Sequence, residues 1–223
     1  MEPSTKEFNR AATATLRAEK VQGNLLGLYS GFHQARERAA EATPDWEAMR
    51  QRARAVKAHT LDNLDYYLEM VEASVKDAGG VVFFASEAAD ANQYILDLAR
   101  ARDVKLVIKG KSMLSEEMGL NQRLSEIGIE PVETDLGEFI VQLADETPFH
   151  IIAPAIHKSR EDVSQLFAEK LNTPHHVDIG DLAGEARAQL REKFLAAEMG
   201  VTGANFVVAE TGTVVLVTNE GNG

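Results

Sequence analysis

The segment from Val104 to Leu143 constrains the fold most, because it reads as a complete strand–helix–strand unit. Lys105–Ile108 is a short apolar strand. Lys109, Gly110, Lys111 and Ser112 form a basic loop of small residues, and a helix follows. A second strand, Ile129–Val132, leads into the acidic turn Glu133-Thr134-Asp135. Parallel strands need such a crossover, and ligand chemistry in the resulting sheet collects in loops at the carboxyl ends of the strands. Two lysines there, ahead of a helix start, suit a carboxylate or a phosphate. A solvated basic loop accounts for the same spacing equally well.

The flanks extend this pattern. Val81–Ala85 is a continuous apolar run after Gly79-Gly80 and predicts a buried strand, with a helix capped by Ser86 running to about Arg102. Phe149–Ala153 predicts another strand. Ser159 and Asp162 have the spacing of a capping box. A long helix is expected over about 182–199. Asn205–Glu210 and Thr213–Thr218 are β-rich runs around Thr211-Gly212 and predict an antiparallel hairpin. Upstream, Thr43-Pro44-Asp45 starts a helix expected to reach about Asp77, preceded by a loosely packed helical arm. The expected architecture is α/β: a three-layer, mostly parallel sheet with an antiparallel hairpin. Residues 1–78 would be a helical N-terminal extension and 79–223 the α/β domain.

Composition narrows the partners. With 35 acids against 23 bases the net charge is −12, which argues against broad nucleic-acid binding and against a polybasic membrane surface. No apolar run is long enough to cross a membrane, and the first residues lack the apolar core of a signal peptide, so a cytoplasmic location is expected. The cysteine count is zero. This chain therefore has no disulfide, no Cys nucleophile and no thiolate for a zinc ion or an iron–sulfur cluster.

Several groups qualify as chemistry. Gly110-Lys111-Ser112 matches only the tail of a phosphate-binding P-loop, since Lys105 stands where the motif needs its first glycine. The weaker anion role remains for Lys109, Lys111 and Ser112. Glu133 and Asp135 follow a strand, where functional carboxylates gather, although turn formation and helix capping explain them too. His157 and Lys158 should emerge at the same sheet edge as the lysine loop, able to orient an anion or move a proton. Adjacent His175-His176 lacks the spacing of a zinc site. Glu210 and Thr213 flank the hairpin turn, and Asn219 and Glu220 open a polar loop after the last strand; these four would line the opposite side of a site.

At this point whole segments carry a resemblance. KGKSMLSEEMGLN, IEPVETDLGEFIVQLA, HIIAPAIHKSRE and EKFLAAEMGVTGANFVVAETGTVVLVTNEGNG closely resemble, in this order, the LUD domain of the lactate utilisation protein B family. The likeness runs from about Trp46 to the last residue. Gly110 departs from it, at a position where a serine is expected between the two lysines. The resemblance implies a fold like the NagB/RpiA/CoA-transferase group and membership of a three-component system oxidising L-lactate to pyruvate. It also implies partner subunits, and 4Fe-4S clusters held by cysteine motifs in a further C-terminal part. No such motif lies in this chain, which is expected to be the N-terminal piece of a longer protein. The resemblance brings no residue-level catalytic assignment.

Three functions follow as expectations. The first is a domain of a lactate-oxidising complex that binds an organic acid or an anionic cofactor at the strand-end loops. The second is an assembly module without a site, docking partner subunits through the helical extension. The third is an independent transferase or isomerase, by analogy of fold alone.

Overall fold

The computed structural model describes residues 7–151 and 153–223. The described residues divide into two compact units, one of Phe84–Asn205 with Leu216–Gly223, the other of residues 7–83 with Phe206–Val215.

The first unit is built on three parallel strands in the order β2-β1-β3: β1 Leu106–Gly110, β2 Glu130–Glu133 and β3 Met199–Thr202. Leu106 pairs with Glu130 and Lys109 with Glu133, while Val107 pairs with Met199 and Gly110 with Thr202. Side chains alternate across β1 and so feed two separate cores. Leu106 and Ile108 face a cluster with Val132 of β2 and with Phe139, Phe167, Ala186 and Leu190 from helices α9 (Leu136–Leu143), α10 (Arg160–Leu171) and α11 (Ile179–Ala196). Val107 faces the other cluster, with Leu96, Ala99, Leu120, Leu124 and Ile129 from α6 (Ala88–Ala101), α8 (Leu120–Glu126) and the residue just before β2. Helices, sheet and helices make the expected three layers of an α/β fold. A short helix α7, Met113–Glu117, precedes α8.

Local chemistry places the ends. Ser159 Oγ accepts from Asp162 N at 3.2 Å and Asp162 returns the bond to Ser159 N at 2.6 Å, completing the capping box of α10. Asp90 accepts from the N–H groups of both Ser86 and Glu87, each at 3.2 Å, so Glu87 rather than Ser86 is the first cap of α6. At the amino end of the sheet Glu198 Oε2 accepts from Lys105 N at 3.0 Å and Leu106 N at 2.9 Å.

The second unit holds helices α1 (Phe8–Leu16), α2 (Glu19–Leu28), α3 (Gln34–Ala42), α4 (Trp46–Asp62) and α5 (Leu64–Asp77), with a π-helical turn at Tyr29–His33. It also holds the antiparallel hairpin of β4 (Phe206–Val208) and β5 (Thr213–Val215). The hairpin turn lies on α5: Ser74 Oγ donates to the carbonyls of Ala209 at 2.8 Å and Glu210 at 3.2 Å. Gly212 has φ +68°, and a Cβ on it would stand 2.9 Å from Val75 N. Both facts require glycine at that turn.

Four expectations are corrected. Val81–Ala85 is not a strand. It pairs with none among the described residues, and Val81 is 75% and Phe84 56% exposed. Phe149–Ala153 is not a strand either, although Ile152 lies outside the described residues. Phe149 N donates to Pro154 O at 2.9 Å, a bond within the segment rather than to a neighbouring strand. The helix expected from 44 to 77 breaks at Asn63, whose Nδ2 donates to the His59 carbonyl at 2.8 Å. That bond competes with the helix ladder. The long helix, expected to reach about Met199, ends at Ala196, and Met199–Thr202 is the third parallel strand.

Candidate functional site

Parallel pairing brings the carboxyl ends of β1, β2 and β3 to one edge, and the polar residues gather there. Lys109 and Glu133 are register partners on the face of α7 and α8. Lys109 Nζ lies 2.7 Å from Glu133 Oε1 and donates to Ser115 Oγ at 3.0 Å, and both members of the ion pair are almost wholly buried. Asn121 Nδ2 adds a third contact, to Glu133 Oε1 at 2.7 Å. A buried charge needs this satisfaction. The Lys109 ammonium is thus held inside the protein by Glu133 and Ser115.

Lys111 follows in the left-handed region, at φ +56°. That turn points its ammonium outward along the strand ends, where it pairs with Asp135 and donates to Asn219 Oδ1 at 3.1 Å. Its side chain keeps 20% exposure. The loop 219–222 lies across the same edge. Asn222 Nδ2 donates to Asp135 Oδ1 at 2.8 Å, and Glu220 Oε2 accepts from Leu136 N, the first N–H of α9, at 3.0 Å. A carboxylate from the chain itself therefore occupies that helix start. Ser112 caps α7, its Oγ accepting from Ser115 N at 3.2 Å.

Two glycines let this edge close. A Cβ on Gly203 would stand 2.1 Å from the Lys111 carbonyl oxygen. A Cβ on Gly110 would stand 2.6 Å from Thr134 Oγ1, the hydroxyl that donates to the Lys109 carbonyl at 3.0 Å. A serine at 110 would have to move that hydroxyl.

Burial pushes the Asp135 carboxyl up, but hydrogen bonds from the Lys111 ammonium, the Asn222 amide and the Lys111 N–H outweigh it, and the net shift is downward. Glu138, in the first turns of α9, moves the other way. Burial, followed by the nearby charges of Asp135, Glu116 and Glu133, holds its carboxyl up at about 7. Burial also raises Glu116. Both line a hollow of about 340 Å³ with Met113, Phe149 and Pro154. A carboxyl raised in the folded state keeps its proton while the unfolded chain has lost it, so stability falls as pH rises from about 4.5 to about 7. Glu138→Gln removes this loss. The variant is expected to gain urea resistance over the parent at pH 8 and to gain little at pH 4.5; equal gains at both pH values would show that ionisation is not the cause.

The other expected residues lie elsewhere. His157 and Lys158 were expected beside the lysine loop; both instead hold Glu146, at 2.6 Å and 2.7 Å. Among its described residues the segment before them forms no strand that could deliver them to the sheet edge. Those contacts hold the Glu146 carboxyl low. Glu210 and Thr213 belong to the helical unit, where the Glu210 carbonyl meets Ser74 and the Thr213 hydroxyl accepts from Thr211 at 2.8 Å. Sequence reasoning missed the supporting roles of Ser115, Asn121 and Asn222. It also missed Arg187 and Arg191 on α11, which line a cleft of about 710 Å³ beside Asn219, Glu220 and Asn222. Their only signal is a four-residue spacing, which also fits a solvated helix face. Among the described residues no group of three or more His, Cys, Asp or Glu is arranged to hold a metal ion.

Comparison with known proteins decides the family. The family model of the LUD domain matches residues 68–223. The chain belongs to the LUD domain family. It is 43% identical over 222 residues to "Lactate utilization protein B 2" of Bacillus mycoides, covering 100% of this chain and 47% of that protein. It is 42% identical to "Lactate utilization protein B" of Bacillus velezensis over 224 residues and of Bacillus thuringiensis over 222, again with 100% and 47% coverage. This LUD-domain chain thus spans about half the length of the curated relatives it matches. No solved structure matches it significantly.

Proposed function

We propose that this LUD domain serves a lactate-utilisation system oxidising L-lactate to pyruvate, and that it binds a small organic acid or anionic cofactor at the strand ends around Lys111. The observation that carries this reading is the state of the Lys111 ammonium. It has three N–H donors, Asp135 and Asn219 take two, and the side chain is still 20% exposed at the edge where α/β sheets bind ligands. One donor is left for a ligand carboxylate, flanked by the amides of Asn219 and Asn222. The names of the relatives support lactate as the acid. Oxidising a 2-hydroxy acid removes two electrons. With no cysteine here, a thiolate-held cluster accepting them would belong to another part of a longer protein or to a partner subunit.

The test is calorimetric titration with L-lactate and pyruvate. The parent chain should bind saturably and Lys111→Ala about tenfold or more weakly, the expected loss of a charge-assisted hydrogen bond. Unchanged binding in the variant would overturn the site.

A second reading, docking of partner subunits, is favoured by the apolar surface of the helical unit. Val56, Leu64, Leu68, Val71 and Val207 line a groove of about 700 Å³, and Phe206 on β4 is 59% exposed. No binding of either acid by a folded sample would shift the weight to this reading.

A further inference from the structure

The cleft beside α11 has a chemistry that the strand-end cluster lacks. Arg187 and Arg191 are one helical turn apart and so share a face of α11. Among the described residues neither guanidinium has an ion-pair or hydrogen-bond partner. The lysines of the strand ends, by contrast, are already held by Glu133 and Asp135. In a chain of net charge −12, two uncommitted guanidiniums at one concave surface stand out electrostatically.

The rest of the cleft fits an organic body attached to an anion. Leu136, Ala186, Leu190 and Phe194 form its apolar wall, and the loop of Asn219, Glu220 and Asn222 its polar rim. The carboxylate of the cleft, Glu220, is turned to the Leu136 N–H at 3.0 Å. The volume of about 710 Å³ lies within the range that encloses a cofactor-sized ligand, and a six-atom acid such as lactate would leave most of it empty.

We propose that this cleft between α11 and the 219–222 loop binds a phosphorylated ligand of nucleotide size, with its phosphates on Arg187 and Arg191 and its ring against Phe194. A planar guanidinium offers two parallel donors, which match two phosphate oxygens. One carboxylate satisfies one such fork. Two forks a helical turn apart call for successive phosphates. The inference does not rest on the strand-end reading, since neither arginine belongs to that cluster.

The probe is ADP, titrated calorimetrically into the 223-residue chain and into the double variant Arg187→Gln/Arg191→Gln, with inorganic phosphate as the size control. The parent should bind ADP saturably and more tightly than phosphate. The double variant should lose about tenfold or more in affinity, as expected for charge-assisted hydrogen bonds. Both arginines are exposed, so circular dichroism should show the variant folded. Absence of saturable ADP binding below about 1 mM, equal ADP binding in the variant, or phosphate binding as tight as ADP would each overturn the proposal. The strand-end reading is tested with lactate and Lys111, this one with ADP and the arginines, so each can fail alone.

Discussion

Lys109→Ala is expected to destabilise the α/β unit by about 3–5 kcal/mol, because it leaves the Glu133 carboxylate buried without its cation. Asn121 would remain as a donor to that carboxylate, but a neutral amide does not replace an ammonium at 2.7 Å. The loss should come from the stranded partner, and this is testable. The double variant Lys109→Met/Glu133→Leu removes both charges and keeps the volume roughly constant. It should recover at least half of the loss, since an apolar pair can fill the space of a buried ion pair at little cost. Urea midpoints of the single and double variants decide it. A double variant no more stable than Lys109→Ala would mean that the pair itself, rather than avoidance of a lone charge, holds the strand ends. In either case a stability loss at Lys109 says nothing about ligand binding, which is why Lys111 is the residue to change in a binding test.

Gly203→Ala should be the most disruptive change of a single methyl group at this edge. Its Cβ would stand 2.1 Å from the Lys111 carbonyl oxygen, and a main-chain oxygen cannot swing aside like the end of a side chain. Either the segment after β3 or the Lys111 turn must move. A cost of about 2–3 kcal/mol is expected, together with a displaced Lys111 ammonium. Gly200→Ala, three residues earlier and inside β3, is the control. A Cβ there meets nothing within 4 Å, so its effect on the urea midpoint should be small. Similar midpoints for the two variants would refute the close approach of Gly203 to the Lys111 loop.

The sequence made the local units legible and the distant ones not. The strand–loop–helix–strand core was readable because each piece is marked within a few residues: an apolar run, a small polar loop, a capping serine. The capping box at Ser159 and the hairpin around Gly212 were readable for the same reason. Val81–Ala85 misled because a continuous apolar run carries no alternation and does not reveal whether a partner strand exists. Met199–Thr202 was hidden by the opposite problem. It is four residues long, contains a glycine, and becomes a strand only by pairing with β1, far away in sequence. At the site, composition and topology pointed to Lys109, Lys111, Glu133, Asp135, Asn219 and Glu220, and the structure gathers these at one edge. The division of labour between the lysines was not legible, since strand alternation turns Lys109 inward while a left-handed turn directs Lys111 out. Arg187 and Arg191 carry no mark that separates a cleft from open solvent until the 219–222 loop is placed.

The position of β1 between its two neighbours also sets the order in which the sheet can assemble. Pairing Leu106 with Glu130 closes a loop of 24 residues (130 − 106), whereas pairing Val107 with Met199 closes one of 92 (199 − 107). For a flexible chain the longer closure costs about 1.2 kcal/mol more in entropy, from the logarithm of the ratio of the two lengths. The β1–β2 crossover is therefore the inexpensive nucleus and β3 the late arrival, brought near as α9, α10 and α11 condense the intervening chain. The strand-end edge, with Gly203 against Lys111, is complete only after that last strand has docked.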